Sequence, residues 1–537
     1  MKKSAKLLVC LVIVALSTPM LSDAQPLATI SPEDSTFLRM VQNKAFLFFW
    51  NEANASNGLI KDRSTVSSAS SIASVGFGLA SICVGVDNGW VSRSAAADRV
   101  RTTLLTFWNG PQGYATTGMI GAYGFFYHFL NMSTAVRDGT CELSTIDTAL
   151  LLAGIVYCQQ YFDGAGSTES DIRAYADSIY RRANFETTRD FGTTLNMGWH
   201  PESGWLNAWW VGYNEAMILY ILALGSPTHP VSSDLWSGWT SGYNFATYYG
   251  QTYVVFPPLF GHQYSHCYID FRGIRDAKMT QYGIDYFENS RRATLAQQAY
   301  CAANPSSFPA YSDSIWGITA SDDPFGYSAR GAPPAESDNG TLVPTAPGGS
   351  MPFAPQECLK ALKTMYAQYC TGAVTSLWGP YGFRDAFNPK YNWFDSDYIG
   401  IDQGPIVLMI ENFFTQNVWN TFMKSPYIQT GLQRAGFTRT TGFQDPVPMP
   451  NEYELKQNFP NPFNPSTSID YRLARSGSVM LDVYDQLGRR IATIDRGWKS
   501  AGEHSAMFYA EALPSGVYYY TLQANTRRLT RSMILLK

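Results

Sequence analysis

The sequence predicts a large all-α domain, a double ring of helices closed into an α/α barrel, followed by a small all-β sandwich. Three observations carry that expectation. Apolar segments between Ser31 and about Thr440 are long and helical, whereas from Tyr453 onward they are short and alternate. Several of the long segments are apolar on every side and must be surrounded by protein, while others show one apolar face. Between the two regions lies Asp445-Pro446-Val447-Pro448-Met449-Pro450, whose three prolines hold the backbone extended and withhold ladder donors, as a linker requires.

The order of elements follows from local chemistry. Residues 1–24 read as an export signal: Lys2-Lys3, the apolar run Leu7 to Leu16, then the small residues of Ser22-Asp23-Ala24. Cys10 lies inside the apolar run rather than at a lipidation site. The barrel is assigned to residues 31–440. Ser31-Pro32-Glu33 offers an N-cap, a proline at the first helical position and a first-turn acid, ahead of Phe37, Val41 and Phe48. The enclosed helices are expected over Ser70–Val86, Met119–Leu130, Thr148–Cys158, Ala216–Leu224 and Pro405–Ile410. Ala95–Phe107 and Asp171–Arg182 supply amphipathic outer helices. No fixed repeat of 34 to 45 residues is visible, which disfavours a solenoid. After a linker at 441–452, the strands Val479–Tyr484 and Gly516–Leu522 belong to the sandwich of residues 453–537.

Composition narrows the function. Of 537 residues, 15% are charged, with 39 Lys and Arg against 43 Asp and Glu, so the net charge of −4 offers no basic surface for nucleic acid. Fourteen Trp, 33 Tyr and 31 Phe exceed the needs of a core, and surplus rings suit flat, weakly charged ligands such as sugars. No stretch after the signal is long enough to span a membrane. The seven cysteines beyond Cys10 contain no CxxC and read as buried small hydrophobes with room for one disulfide. A P-loop, a GxGxxG fingerprint and a GxSxG elbow are absent from the sequence. His262 and His266 have the spacing of a ligand pair without the acid of HExxH, so neither metal nor cofactor is expected. The chain is expected to act as a monomer.

Candidate catalytic residues come from the starts of enclosed helices. Glu142 and Asp147 precede Thr148-Ala149-Leu150, Glu215 precedes Ala216-Met217-Ile218, and Asp402 precedes Gln403-Gly404-Pro405. Parallel inner helices would gather these carboxylates at one mouth. Each acid also fits a structural role, since Ser144-Thr145-Ile146-Asp147 is a capping box and first-turn acids favour the helix dipole. Their recurrence on enclosed helices favours chemistry, because a carboxylate entering a core needs partners or a task. Candidate binding residues are the aromatic run Trp199, Trp205 and Trp209 with Glu202 among them, and the loop residues Asp62, Arg63, Arg272, Trp316, Asp322, Arg330 and Trp393.

The strings Glu142-Leu143-Ser144-Thr145-Ile146-Asp147, Gly212-Tyr213-Asn214-Glu215-Ala216-Met217, Phe271-Arg272-Gly273, Trp316-Gly317-Ile318-Thr319-Ala320-Ser321-Asp322 and Ile399-Gly400-Ile401-Asp402-Gln403-Gly404-Pro405 resemble the glucoamylase-like family that includes glycoside hydrolase family 144. The resemblance covers about residues 35–430. It implies an (α/α)6 barrel, no metal, and hydrolysis of β-1,2-glucan, endo-acting with inversion. It places the acidic pocket on Glu142, Asp147, Glu215 and Asp402 without assigning acid and base. An exo-acting enzyme releasing sophorose is the alternative within that class, and a non-catalytic glucan-binding surface protein the alternative outside it. Asn458-Phe459-Pro460-Asn461-Pro462-Phe463, Val483-Tyr484-Asp485-Gln486-Leu487-Gly488-Arg489 and Leu513-Pro514-Ser515-Gly516-Val517-Tyr518 resemble the C-terminal sorting domain of type IX secretion substrates. That resemblance implies export through the periplasm, secretion machinery as a partner, and release or attachment at the cell surface.

Overall fold

The computed structural model describes residues 26–189, 192–371, 377–440, 453–473, 477–499, 502–524 and 527–537. The expected signal at 1–24 and linker at 441–452 lie outside the described residues. Contacts divide the chain into two compact units, one ending at Thr438 and the other beginning at Arg439.

The first unit is helical. Ser31 caps the helix Pro32–Asn51 by accepting from the Asp34 N–H, and Ser71, Ser92 and Ser144 cap Ile72–Asp87, Arg93–Asn109 and Thr145–Tyr161 in the same way. An inner set of helices is buried on nearly every side: Ile72–Asp87, Thr145–Tyr161, Met217–Gly225 and Gly400–Phe414. Ile72–Asp87 packs between Thr145–Tyr161 and Gly400–Phe414. Thr145–Tyr161 continues to Met217–Gly225, and the short helix Tyr264–Tyr268 touches both Met217–Gly225 and Gly400–Phe414. Outside them lie one-faced helices: Arg93–Asn109 buries Ala96, Ala97, Val100, Leu104 and Phe107, and Ser167–Arg182 buries Ile172, Ala176, Ile179 and Tyr180.

Met119–Leu130 is not a helix. It forms three two-residue strands, Gly121–Ala122, Phe125–Phe126 and Phe129–Leu130. Gly121 and Phe126 are Cα partners, so the segment folds back on itself through a Tyr123-Gly124 turn with φ of +57° and +82°. That turn breaks a helix, and both strands beside it are buried on both faces.

All seven described cysteines are free. Cys83 and Cys158 touch at 3.8 Å between sulfurs in the core without a bond, and the one disulfide for which the sequence left room is not formed among the described residues. His262 and His266 are also core residues: the His262 ring N–H faces the Phe256 carbonyl at 3.1 Å and His266 meets Ser290 at 3.1 Å. Burial pushes both imidazoles down to about 3, so they are neutral.

In the second unit, Ser466–Leu473 pairs with Glu454–Leu455 and Gly502–Tyr509, and a four-stranded sheet runs Arg490–Lys499, Gly477–Tyr484, Gly516–Ala524, Arg527–Leu535. These strands pair antiparallel. Thr467, Ile469, Tyr471 and Leu473 point inward with the period of two, and a shared core of Ile469, Leu481, Tyr520 and Met533 joins the two sheets.

Candidate active site

Helix starts converge on one cavity of about 360 Å³. Ser71 comes from the start of Ile72–Asp87, Asp147 from Thr145–Tyr161, Glu215 from the residues before Met217–Gly225, Phe260 and Tyr264 from the turn into Tyr264–Tyr268, and Ile399 and Ile401 from Gly400–Phe414. Asp62, Arg63, His128, Ala320 and Tyr327 complete the wall. The loop carrying Asp62 is tied to two helix starts, since Gly400 N–H donates to the Asp62 carbonyl at 2.8 Å and Ser74 Oγ to the Lys61 carbonyl at 2.8 Å.

Glu215 is held by its neighbours' backbone. The Ala216 N–H donates to Asn214 Oδ1 at 3.0 Å, while Ser265 Oγ accepts from the Ile218 N–H and donates to the Glu215 carbonyl. Burial, with a smaller push from the negative charge of Asp147, raises the Glu215 carboxyl to about 7. Asp147 accepts from Ser144 Oγ and lies 3.7 Å from His128 Nε2. On its other side His128 Nδ1 donates to Glu142 Oε1 at 2.9 Å. Burial alone would pull the His128 imidazole down, but Asp147 and Glu142 outweigh it and bring it up to about 9. His128 is therefore a cation between two carboxylates at neutral pH.

A second acidic group gathers around Arg63. Arg63 donates to Asp322 Oδ2 at 2.7 Å and Asp62 Oδ2 at 3.2 Å, and lies 3.9 Å from Asp397. Burial opposes its charge, yet Asp322 and Asp62 hold the guanidinium above its usual range. Behind it Asp385 accepts from the Asp322 N–H at 2.9 Å and neighbours Asp395 and Asp402. Burial, then Asp402 and Asp395, push Asp385 far above the carboxylate range; Asp402 is raised by burial but relieved by Asp385. Asp385 therefore holds its proton at neutral pH, while Asp402, raised by burial to about 7, is divided between its two forms. Asp385 Oδ1, Asp395 Oδ2 and Asp402 Oδ2 have no hydrogen-bond partner in the protein. Both acidic groups bring donor atoms within 4.8 Å of one another, as a metal would need. Each is already matched by a cation of the chain, His128 or Arg63.

Against known proteins, residues 207–426 match the family model described as "Putative glucoamylase", and residues 457–536 match "Secretion system C-terminal sorting domain". A crystallised "putative glucoamylase" from Bacteroides uniformis is 33% identical, covering 77% of this chain and 99% of that one at a TM-score of 0.69. The chain belongs to the glucoamylase-like family. An endo-β-1,2-glucanase from Chitinophaga pinensis, solved with sophorotriose and glucose, is 28% identical over 76% of this chain and 99% of its own, again at 0.69. An exo β-1,2-glucooligosaccharide sophorohydrolase from Parabacteroides distasonis is 30% identical over 441 residues, 75% of this chain. The chain spans 58% of that curated relative's length. Among the described residues no helix is long and apolar enough to cross a membrane.

In this glucoamylase-like protein the other expected binding residues scatter. Asp62, Arg63, Asp147 and Glu215 line the cavity, with Glu142 one bond behind His128 and Asp322 one bond behind Arg63. Trp316 is fully buried and presents no face to a ligand. Arg330 is only 1% exposed, its guanidinium occupied by Asp323 and Ser321. Arg272 is spent on Asp270 and Gln416 and lies over the Trp419 ring at 4.7 Å. Trp393 pairs with Asn388 in a hairpin, Trp209 bridges Asn196, and Glu202 meets Arg137 at 2.6 Å. Trp199 and Trp205 are strand partners that pack with Tyr123. None of these lines the cavity. The wall residues His128, Phe260, Tyr264 and Tyr327, and the acids Asp385 and Asp395 behind it, were not among the candidates. His128 sits in the segment read as a helix, and the two acids lie in loops without periodicity.

Proposed function

We propose that this chain is a secreted glycoside hydrolase that cleaves β-1,2-glucan, endo-acting and inverting, on an (α/α)6 barrel. Glu215 is the general acid and Asp402 the general base. The observation that carries this is the Glu215 carboxyl in the cavity, lifted to about 7 and so protonated where a leaving glycosidic oxygen needs a proton. Asp402, 2% exposed and next in the chain to the wall residue Ile401, raised to about 7 beside protonated Asp385 and with Oδ2 unpartnered, acts in its ionised form through water on the far face of the ring. Asp147, fixed by His128 and Ser144, keeps the proton on Glu215. Asp62 and the Arg63–Asp322 pair receive sugar hydroxyls. The names of the Chitinophaga and Parabacteroides relatives support the substrate.

Residues 1–24 serve as a cleaved signal, and residues 453–537 as the sorting domain that sends the enzyme through the type IX route to the surface or the medium. This rests on the match at residues 457–536.

Incubation with linear β-1,2-glucan tests the reading. Endo action gives a ladder of oligosaccharides, and proton NMR during early turnover should show the α-anomer first. Sophorose alone would favour the exo-acting alternative, which the Parabacteroides relative's name supports. A first-formed β-anomer would mean retention, and no turnover at all would leave a glucan-binding protein.

A further inference from the structure

We propose a second saccharide site, an accessory pocket for a glucosyl unit at the C-terminal ends of the helices Arg93–Asn109 and Ser167–Arg182. It rests on the β-glucan reading. The pocket has a volume of about 450 Å³ and is lined by Gln112, Tyr114, Tyr123, Arg182, Asn184 and His229, none of which lines the catalytic cavity. That volume falls in the roughly 300–1,000 Å³ range of small-molecule sites.

Its aromatic wall is built rather than incidental. Tyr114 is 64% exposed, and its ring lies 5.1 Å from that of Tyr123, which stacks on Trp205 at 5.9 Å. Tyr123 holds a φ of +57°, a conformation that disfavours a bulky side chain. The strained turn is fixed by two hydrogen bonds, Gly124 N–H to Gln112 Oε1 at 3.0 Å and Asn184 N–H to the Tyr123 carbonyl at 2.9 Å. Strain of that kind persists only where surrounding structure imposes it, and it collects at binding sites.

The polar wall selects a neutral ligand. Arg182 Nε, Asn184 Oδ1 and His229 Nδ1 have no hydrogen-bond partner in the protein, an unusual grouping for buried polar atoms. Arg182 directs its other nitrogens at the final carbonyls of Arg93–Asn109, donating to Phe107 at 2.7 Å and Trp108 at 3.0 Å. Its charge is thus spent on a helix C-terminus. What remains open to a ligand is the exposed Tyr114 ring in a pocket whose cation is already engaged, the complement of the C–H face of an uncharged sugar. The hairpin that carries Tyr123 runs on to His128 at the cavity, roughly 16 Å away at the rise of an extended strand. A polymer longer than that separation is the ligand the second pocket would retain.

The test uses the full chain with Tyr114→Ala and Tyr123→Gly; the latter removes the ring while relieving the backbone. Each variant should raise KM for long β-1,2-glucan about tenfold, the order expected for a lost aromatic platform. Each should leave kcat/KM for a β-1,2-linked tetrasaccharide within about twofold of wild type. In native gels cast with the polymer, wild type should be retarded and both variants less so. Turnover of the wild type reads the proposed function, while the gel reads the pocket whether or not turnover occurs. Unchanged retardation in both variants, or equal KM changes on polymer and tetrasaccharide, would overturn the accessory site.

Discussion

The proposed acid role of Glu215 comes with a cost in stability. Its carboxyl sits at about 7 in the folded protein against an ordinary value of 4.5, so the native state retains a proton that the unfolded chain has released. As pH rises from 4.5 to 7 this group progressively destabilises the fold, and above 7 the penalty stays constant. Glu215→Gln should therefore melt like wild type near pH 4 and higher than wild type at pH 8. The difference is at most roughly 3 kcal/mol by the pKa conversion, and less because the side chain is partly exposed. Differential scanning calorimetry across pH checks the sign. Activity should fall as pH passes about 7, because the acid loses its proton. Glu215→Gln and Asp402→Asn should each lose about 10²- to 10⁴-fold in kcat. Asp147→Asn removes a negative neighbour of Glu215, so its alkaline limb should move to lower pH. Glu202→Gln, altering an exposed partner of Arg137 outside the cavity, is the control and should keep wild-type kcat.

Among the elements, the crossing of Ile72–Asp87 and Thr145–Tyr161 depends on two glycines. A Cβ on Gly154 would stand 2.1 Å from the Gly76 carbonyl oxygen, and one on Gly76 would stand 2.3 Å from that of Leu150. Both obstacles are backbone, which cannot rotate away. Gly154→Ala should cost about 1–3 kcal/mol as overpacking and lower the melting temperature, despite alanine's better helix propensity. Because the second helix carries Asp147, the displacement should also reduce kcat/KM on short substrates. The apolar all-round texture announced these helices as enclosed, but nothing local announced how closely they pass. Met119–Leu130 shows the converse: its composition matched a buried helix, while Gly121 and Gly124 and pairing with distant residues made it strands.

For the whole molecule, two separate cores argue for two folding units. Buried apolar residues of the first run from Leu38 to Ala435 and those of the second from Leu455 to Leu535, with none shared. A chain ending at Thr440 should fold and hydrolyse with unchanged kcat/KM, which circular dichroism and a reducing-sugar assay would check. In its native host that chain should stay inside the outer membrane; its appearance in the medium at full yield would refute the sorting role of the tail.

Sequence alone determined what is local. Serine caps, all-round apolar helices, alternating strands and acids at helix starts depend on residues within one or two turns of each other. They placed Asp147, Glu215 and Asp402 at helix starts and separated the two textures. Tertiary structure decided which side chains are spent and which are free. Trp316, Arg330 and Arg272 read as binders until partners from elsewhere in the fold enclosed or engaged them. His128 gained its charge from Asp147, Glu142 and Asp62, and Asp402 its raised hold on a proton from burial, partly offset by Asp385. Burial, pairing and proton affinity are set by neighbours far away in the chain, so no window of sequence contains them.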